Sequence, residues 1–204
     1  QLFDMLIYRT GADVKITGAG VDNSAAANPL GLPTGSDSEE DARNRVMFLP
    51  MNEYLDFPDV TAATRVGRYS AEAQVGTNSS TGTFIGIDRT EFADASFWRN
   101  DFAPYKLGYL LNALGTVPDG LLVSEAFLAE HGLAPGDLFR VTVNLPDGKI
   151  ELDSQIVGTL TYFPSWYEAE DGPLFVGNLG WLFNQIGGDM PYEVWLNTAE
   201  APNP

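Results

Sequence analysis

Apolar and polar residues alternate strictly over two stretches. Tyr69, Ala71, Ala73 and Val75 interleave with Ser70, Glu72 and Gln74, and Phe139, Val141, Val143 and Leu145 with Arg140, Thr142 and Asn144. A period of two predicts strands with one buried face and one wet face. The first set lies within a long extended stretch over 60–75, where Gly67 is expected to mark a bulge. The second runs into the turn signal Pro146-Asp147-Gly148 and returns over 150–160, so 135–160 reads as a hairpin. Shorter strands are predicted at 13–17, 83–87, 120–124, 174–176 and 192–197, and a turn at 76–82.

Elsewhere the period lengthens to that of a helix. Leu107, Leu110, Leu111 and Leu114 fall at i, i+3, i+4 and i+7 of a helix over 105–115, which Gly115 is expected to end. Ser124 is placed to cap a helix running to His131. There Gly132 supplies the left-handed position, Leu133 folds back onto Leu128, and Pro135 stops continuation. Asn178 caps a helix with Leu179, Leu182, Phe183 and Ile186 on one stripe, ended by Gly187-Gly188. A short helix over 51–57 puts Met51, Tyr54 and Leu55 on one face before Pro58, and Thr90 is expected to cap another from Glu91. Residues 1–8, with Leu2, Met5 and Leu6 at helical spacing, read as the end of a helix entering from upstream. The stretch 18–43, including Asp37, Glu39, Glu40 and Asp41, reads as an exposed loop, and 201–204 as a linker. Strands and helices interleave. Crossovers of helical length require parallel pairing and the hairpin requires antiparallel pairing, so the fold class is α+β with mixed sheets.

Charge narrows the function. The 204 residues carry 11 Lys and Arg against 28 Asp and Glu, a formal net charge of −17, which argues against nucleic acid and anionic lipid surfaces as partners. Without cysteine there is no disulfide, thiol nucleophile or thiolate metal site. The single histidine, His131, rules out a His-rich metal centre. It lies two turns from Ser124, about 10 Å along a helix axis, too far for a nucleophile–base pair. No phosphate-binding glycine motif occurs. No apolar run is long enough to span a bilayer. Asp13 and Glu125 sit in no frame that glycoside hydrolysis would need. Asn78-Ser79-Ser80 matches a glycosylation sequon and equally suits a plain turn. The expectation is no catalytic residue, no cofactor and no metal. The candidate ligand or partner contacts are aromatic: Trp98, and Tyr162, Phe163, Trp166 and Tyr167 in a loop flanked by Glu168, Glu170 and Asp171. Such rings suit stacking on a sugar or packing against a partner. The plainer expectation is that half of the loop's rings close the core beneath it.

Two segments carry a family likeness. Residues 120–140, GLLVSEAFLAEHGLAPGDLFR, resemble the stretch aliVSeslAeklGlkvGDtl found in extracytoplasmic domains of MacB/FtsX-type ABC-transporter permeases. Ser154 to Leu160, SQIVGTL, stand where that family has a short strand, and Thr83 to Phe92, TFIGIDRTEF, are similar to its upstream G-x-D segment. The resemblance spans about 60–197 and rests on order and spacing more than on any one motif. It implies a porter-like subdomain, 1–87 plus 178–204, with an inserted Sabre-like lobe at 88–177. It also implies a non-catalytic domain outside the cell membrane. That domain would couple ATP-driven motion to handling of an exported substrate, and its partners would be its own transmembrane helices, a cytoplasmic ATPase, a second permease copy and an adaptor. On this reading Gln1 is an internal point of a longer product. The alternative from the residues alone is a secreted glycan- or ligand-binding module using the loop 162–171.

Overall fold

The computed structural model describes residues 8–17, 20–22, 46–146 and 148–199. The apolar spacing at 1–7, the acidic cluster at 37–41, Asp147 of the hairpin turn and the linker at 201–204 lie outside these residues. Among the described residues ten strands form: β1 (Val14–Ile16), β2 (Gly20–Asp22), β3 (Val46–Phe48), β4 (Val60–Val75), β5 (Asn78–Ile87), β6 (Gly120–Ser124), β7 (Leu138–Leu145), β8 (Gly148–Leu160), β9 (Leu174–Asn178) and β10 (Glu193–Thr198). The helices that lie wholly within the described residues are α1 (Met51–Leu55), α2 (Phe92–Ala95), α3 (Leu107–Thr116), α4 (Glu125–His131), α5 (Glu168–Asp171) and α6 (Leu179–Ile186). The fold is α+β, and its main sheet is mixed. The strand order is β1-β10-β4-β5-β9-β6-β8-β7, with parallel pairing at β5–β9 and β6–β8 and antiparallel pairing elsewhere.

The long β4 organises the sheet. One of its edges pairs with β5 from Val66↔Ile87 to Val75↔Asn78 without a shift of register. The other edge is shared. Its first half takes β10, and Ser70 to Gln74 take β7. The β4–β7 pairing closes β4, β5, β9, β6, β8 and β7 into a ring. The second half of β5, from Gly82 to Ile87, and nearly all of β6 and β9 are therefore buried on both faces, which is why these stretches read as short apolar runs. Alternation divides their side chains between two cores. Phe84, Leu121, Val123 and Phe175 face one core with α4 and α6, while Ile85, Leu122, Leu174 and Val176 face the other with α2, α3 and the aromatic loop.

Several local expectations are corrected. Gly67 marks no bulge. It stands opposite Gly86, and a Cβ on either would run into Leu179 of α6 at 2.7–2.8 Å, so the pair gives that helix its close approach. Only Gly76 and Thr77 turn between β4 and β5, and the sequon at Asn78 begins the strand, because the polar Ser79 and Ser80 still register against Gln74 and Ala73. Gly115 does not end α3, which runs on to Thr116. Leu55 is exposed, and of its expected face only Tyr54 is buried. Thr90 caps nothing; its hydroxyl bonds the Glu91 carboxylate. Ser124 precedes α4 as expected, but its buried hydroxyl accepts from the Leu174 N–H at 3.1 Å and so ties β6 to β9. Within 18–43, Gly20–Asp22 is a strand paired with β3, too short for any period to reveal. The α4 ending stands as expected: Gly132 is left-handed at φ 64° and the Leu133 N–H donates to the Leu128 carbonyl at 2.9 Å.

Candidate functional site

The aromatic loop follows β8 and ends in the helical turn α5. Two of its rings point inward. Phe163 is 1% exposed and stacks on Phe92 at 5.6 Å, and Trp166 is 2% exposed and donates its indole N–H to the Gly172 carbonyl at 3.0 Å. These anchors leave Tyr162 and Tyr167 in solvent, 49% and 40% exposed. Half of the loop's rings thus belong to the core.

The loop is held from two sides. Arg68 of β4 donates to the Ser165 carbonyl at 2.9 Å and hydroxyl at 2.7 Å, which fixes Ser165 at a positive φ of 61°. The incoming segment grips it as well: the Ser165 N–H donates to the Tyr8 carbonyl at 2.7 Å, and the Tyr8 hydroxyl donates to the Trp166 carbonyl at 2.8 Å. Thr161 and Tyr162 both donate backbone N–H groups to the Phe102 carbonyl.

Phe102 is the hub. Tyr8, Trp98 and Tyr162 meet its ring edge-on at 5.6, 5.4 and 6.3 Å, and the Arg99 guanidinium lies 5.8 Å over its face. Tyr167 meets Tyr8 edge-on at 5.4 Å. Between these rings opens a groove of about 730 Å³, with Phe102 and Trp166 in its floor and Tyr8, Tyr162 and Tyr167 in its walls. Arg99, Asp101, Thr161 and Glu168 supply its polar atoms. Arg99 is held by Asp101 in a two-pronged bond of 2.9 and 2.6 Å, which keeps the Asp101 carboxyl below its ordinary range.

Of the five residues singled out from sequence, the structure brings Tyr162, Trp166 and Tyr167 to this groove. Phe163 lies beneath it, and Trp98 lies on a separate depression with Ala12, Asp13 and Asn197. Sequence reasoning missed Tyr8, Arg99 and Phe102, which no spacing links to the loop. The residues weighed for chemistry have structural work instead. Asp13 accepts from the Thr198 N–H at 3.0 Å, Glu125 accepts from the Thr161 hydroxyl at 3.1 Å, and His131 packs on Phe127 with Nε2 3.3 Å from the Ser80 hydroxyl. Among the described residues no cluster of acidic and histidine side chains is placed to hold a metal ion, and no helix is long and apolar enough to cross a membrane.

Burial, aided by Tyr167, pushes the Tyr8 phenol up to about 12. Burial outweighs Arg65 to hold Tyr192 at about 12 as well, and it raises Tyr54 and Tyr69. A tyrosine whose folded value exceeds its unfolded one retains its proton longer when folded. Its stabilising contribution is complete below the unfolded value and is lost as pH rises through the folded one. Melting temperature should therefore fall steeply between about pH 10 and pH 12. Absorbance at 295 nm should show four of the eight tyrosines ionising late. A single wave near pH 10 carrying all eight would contradict these environments.

No family model matches the chain, and no curated protein sequence matches it significantly. Solved structures do. The extracellular domain of the noncanonic ABC-type transporter YknZ from Gram-positive bacteria aligns with a TM-score of 0.53 at 16% identity, over 92% of this chain and 85% of that one. The periplasmic region of MacB from Actinobacillus actinomycetemcomitans aligns with a TM-score of 0.47 at 13% identity, over 82% and 73%. A domain of a permease protein from Porphyromonas gingivalis gives 0.48 at 14%, over 74% and 61%. The chain has the fold of the extracellular domain of the ABC-type transporter YknZ.

Proposed function

We propose that the protein is the extracytoplasmic domain of an ABC-transporter permease, anchored by flanking transmembrane helices and working without chemistry of its own. The observation that carries this reading is the fold shared, over 92% of the chain, with a transporter's extracellular domain. The pairing of the first and last strands of the main sheet agrees with it. β1 pairs antiparallel with β10, Val14 opposite Leu196, and Thr198 is bonded to Asp13, so positions 13 and 198 lie side by side. A domain inserted between two membrane spans needs that arrangement. A cytoplasmic ATPase would drive the spans, a second permease copy would complete the pair, and an exported substrate or adaptor would meet the domain outside. In this reading 88–177 is the inserted lobe. Its strands β6, β7, β8 and most of β9 lie in the same sheet as β4 and β5, so motion delivered to β4 would pass to the lobe through the β5–β9 and β4–β7 hydrogen bonds.

The parent reading frame tests this. The proposal expects a span of about 20 apolar residues before the domain and further spans after it. A cleavable signal peptide before the domain, with a soluble domain or a stop after it, would overturn it.

A further inference from the structure

We propose that the aromatic groove is a binding site for a small organic cation with an apolar body, a quaternary or protonated amine. The inference goes beyond the permease reading and does not depend on it.

Ring geometry is the first ground. Tyr162, Phe102, Tyr8 and Tyr167 form a chain in which each ring meets the next edge-on, at interplanar angles of 61°, 77° and 77°. Phe102 is buried at the centre of this chain, so the half-buried Tyr8 and the exposed Tyr162 and Tyr167 supply the aromatic surface that a compact charge would meet. A sugar would want a flat platform with free hydrogen-bonding groups around it. Here the Tyr8 and Thr161 hydroxyls already donate to the Trp166 carbonyl and Glu125, which leaves them only acceptor capacity toward a ligand.

Charge is the second ground. A cation already rests on this cluster, the Arg99 guanidinium over Phe102, and Asp101 neutralises it through both prongs. Glu168 adds a second carboxylate at the rim, so the groove offers two carboxylates against one guanidinium in a chain of net charge −17. An anionic ligand meets repulsion and a cationic one attraction. The volume, about 730 Å³, lies within the range of small-molecule sites.

The test uses the whole chain and NMR amide shifts. The probes are choline, its uncharged carbon isostere 3,3-dimethylbutan-1-ol, benzyltrimethylammonium for added apolar body, and methyl β-glucoside as the sugar. Choline should saturate with shifts centred on 161–169 and bind at least about tenfold tighter than the isostere, and benzyltrimethylammonium should bind tighter still. Tyr167→Ala, at an exposed ring, should weaken choline by about tenfold, and Glu168→Gln, which leaves packing intact, by about threefold. Equal binding of the isostere, tighter binding of the glucoside, shifts centred elsewhere, or no saturation in the millimolar range would each overturn the proposal.

Discussion

Replacing Trp195 by alanine is expected to cost about 3–5 kcal/mol of stability, a large share of the roughly 5–15 kcal/mol that holds a domain folded. Trp195 is fully buried at the middle of β10, the strand that joins β1 to β4. Its ring packs on Phe92 of α2 at 5.9 Å and fills the space beside Gly11, where φ is +91° and any Cβ would collide with the indole. The indole N–H donates to Glu193 at 2.9 Å, and Glu193 pairs with Lys15 of β1 at 3.2 Å. One substitution thus empties a core, loosens α2 and frees the strand on which the chain leaves the domain. Urea unfolding checks it through a lowered midpoint at unchanged slope. A loss below about 1 kcal/mol would mean that β10 is not docked as described.

Gly82→Ala should be nearly as damaging, by about 3 kcal/mol or more, although it adds a single methyl group. A Cβ at Gly82 would run into the backbone carbonyl of Pro173, which has no rotamer by which to move away. That carbonyl accepts from the Thr83 N–H at 2.8 Å at the point where β5 meets β9, so relief means parting the seam. Gly172 sits just before it with φ +65° and its own Cβ direction blocked by the Thr81 carbonyl at 2.6 Å, and it receives the Trp166 indole. Faster amide exchange at Thr83 and Leu174, with disturbed signals in 162–171, should accompany the loss. A variant with wild-type exchange at those amides would contradict the seam.

These effects show what was legible in the sequence. Alternation on β4 and β7 declared their buried faces, and the ending of α4 followed from Gly132 and Leu133, because such signals are local. The two-sided burial of β6, β9 and the second half of β5 was visible only as short apolar runs, since the ring that causes it is closed by a pairing between residues 70–74 and 140–144. Ser124 looked like a cap because its neighbour on β9 lies fifty positions away. The groove was half legible. The loop's tyrosines were picked out by composition, but Phe102 and Tyr8 reach them through backbone bonds that no spacing encodes.

The central claim is that this domain stands outside the cell membrane on a permease. The domain itself has no cysteine, so one can be introduced at Leu138, which is 72% exposed, in the full-length protein in its host, with any cysteine elsewhere in that protein replaced by serine and the unsubstituted background labelled as the blank. The account predicts that a membrane-impermeant maleimide labels Leu138→Cys in intact cells as completely as in permeabilised ones, and that the labelled protein stays with the membrane after washing. Labelling that appears only on permeabilisation, or a labelled protein released into the wash, would contradict it.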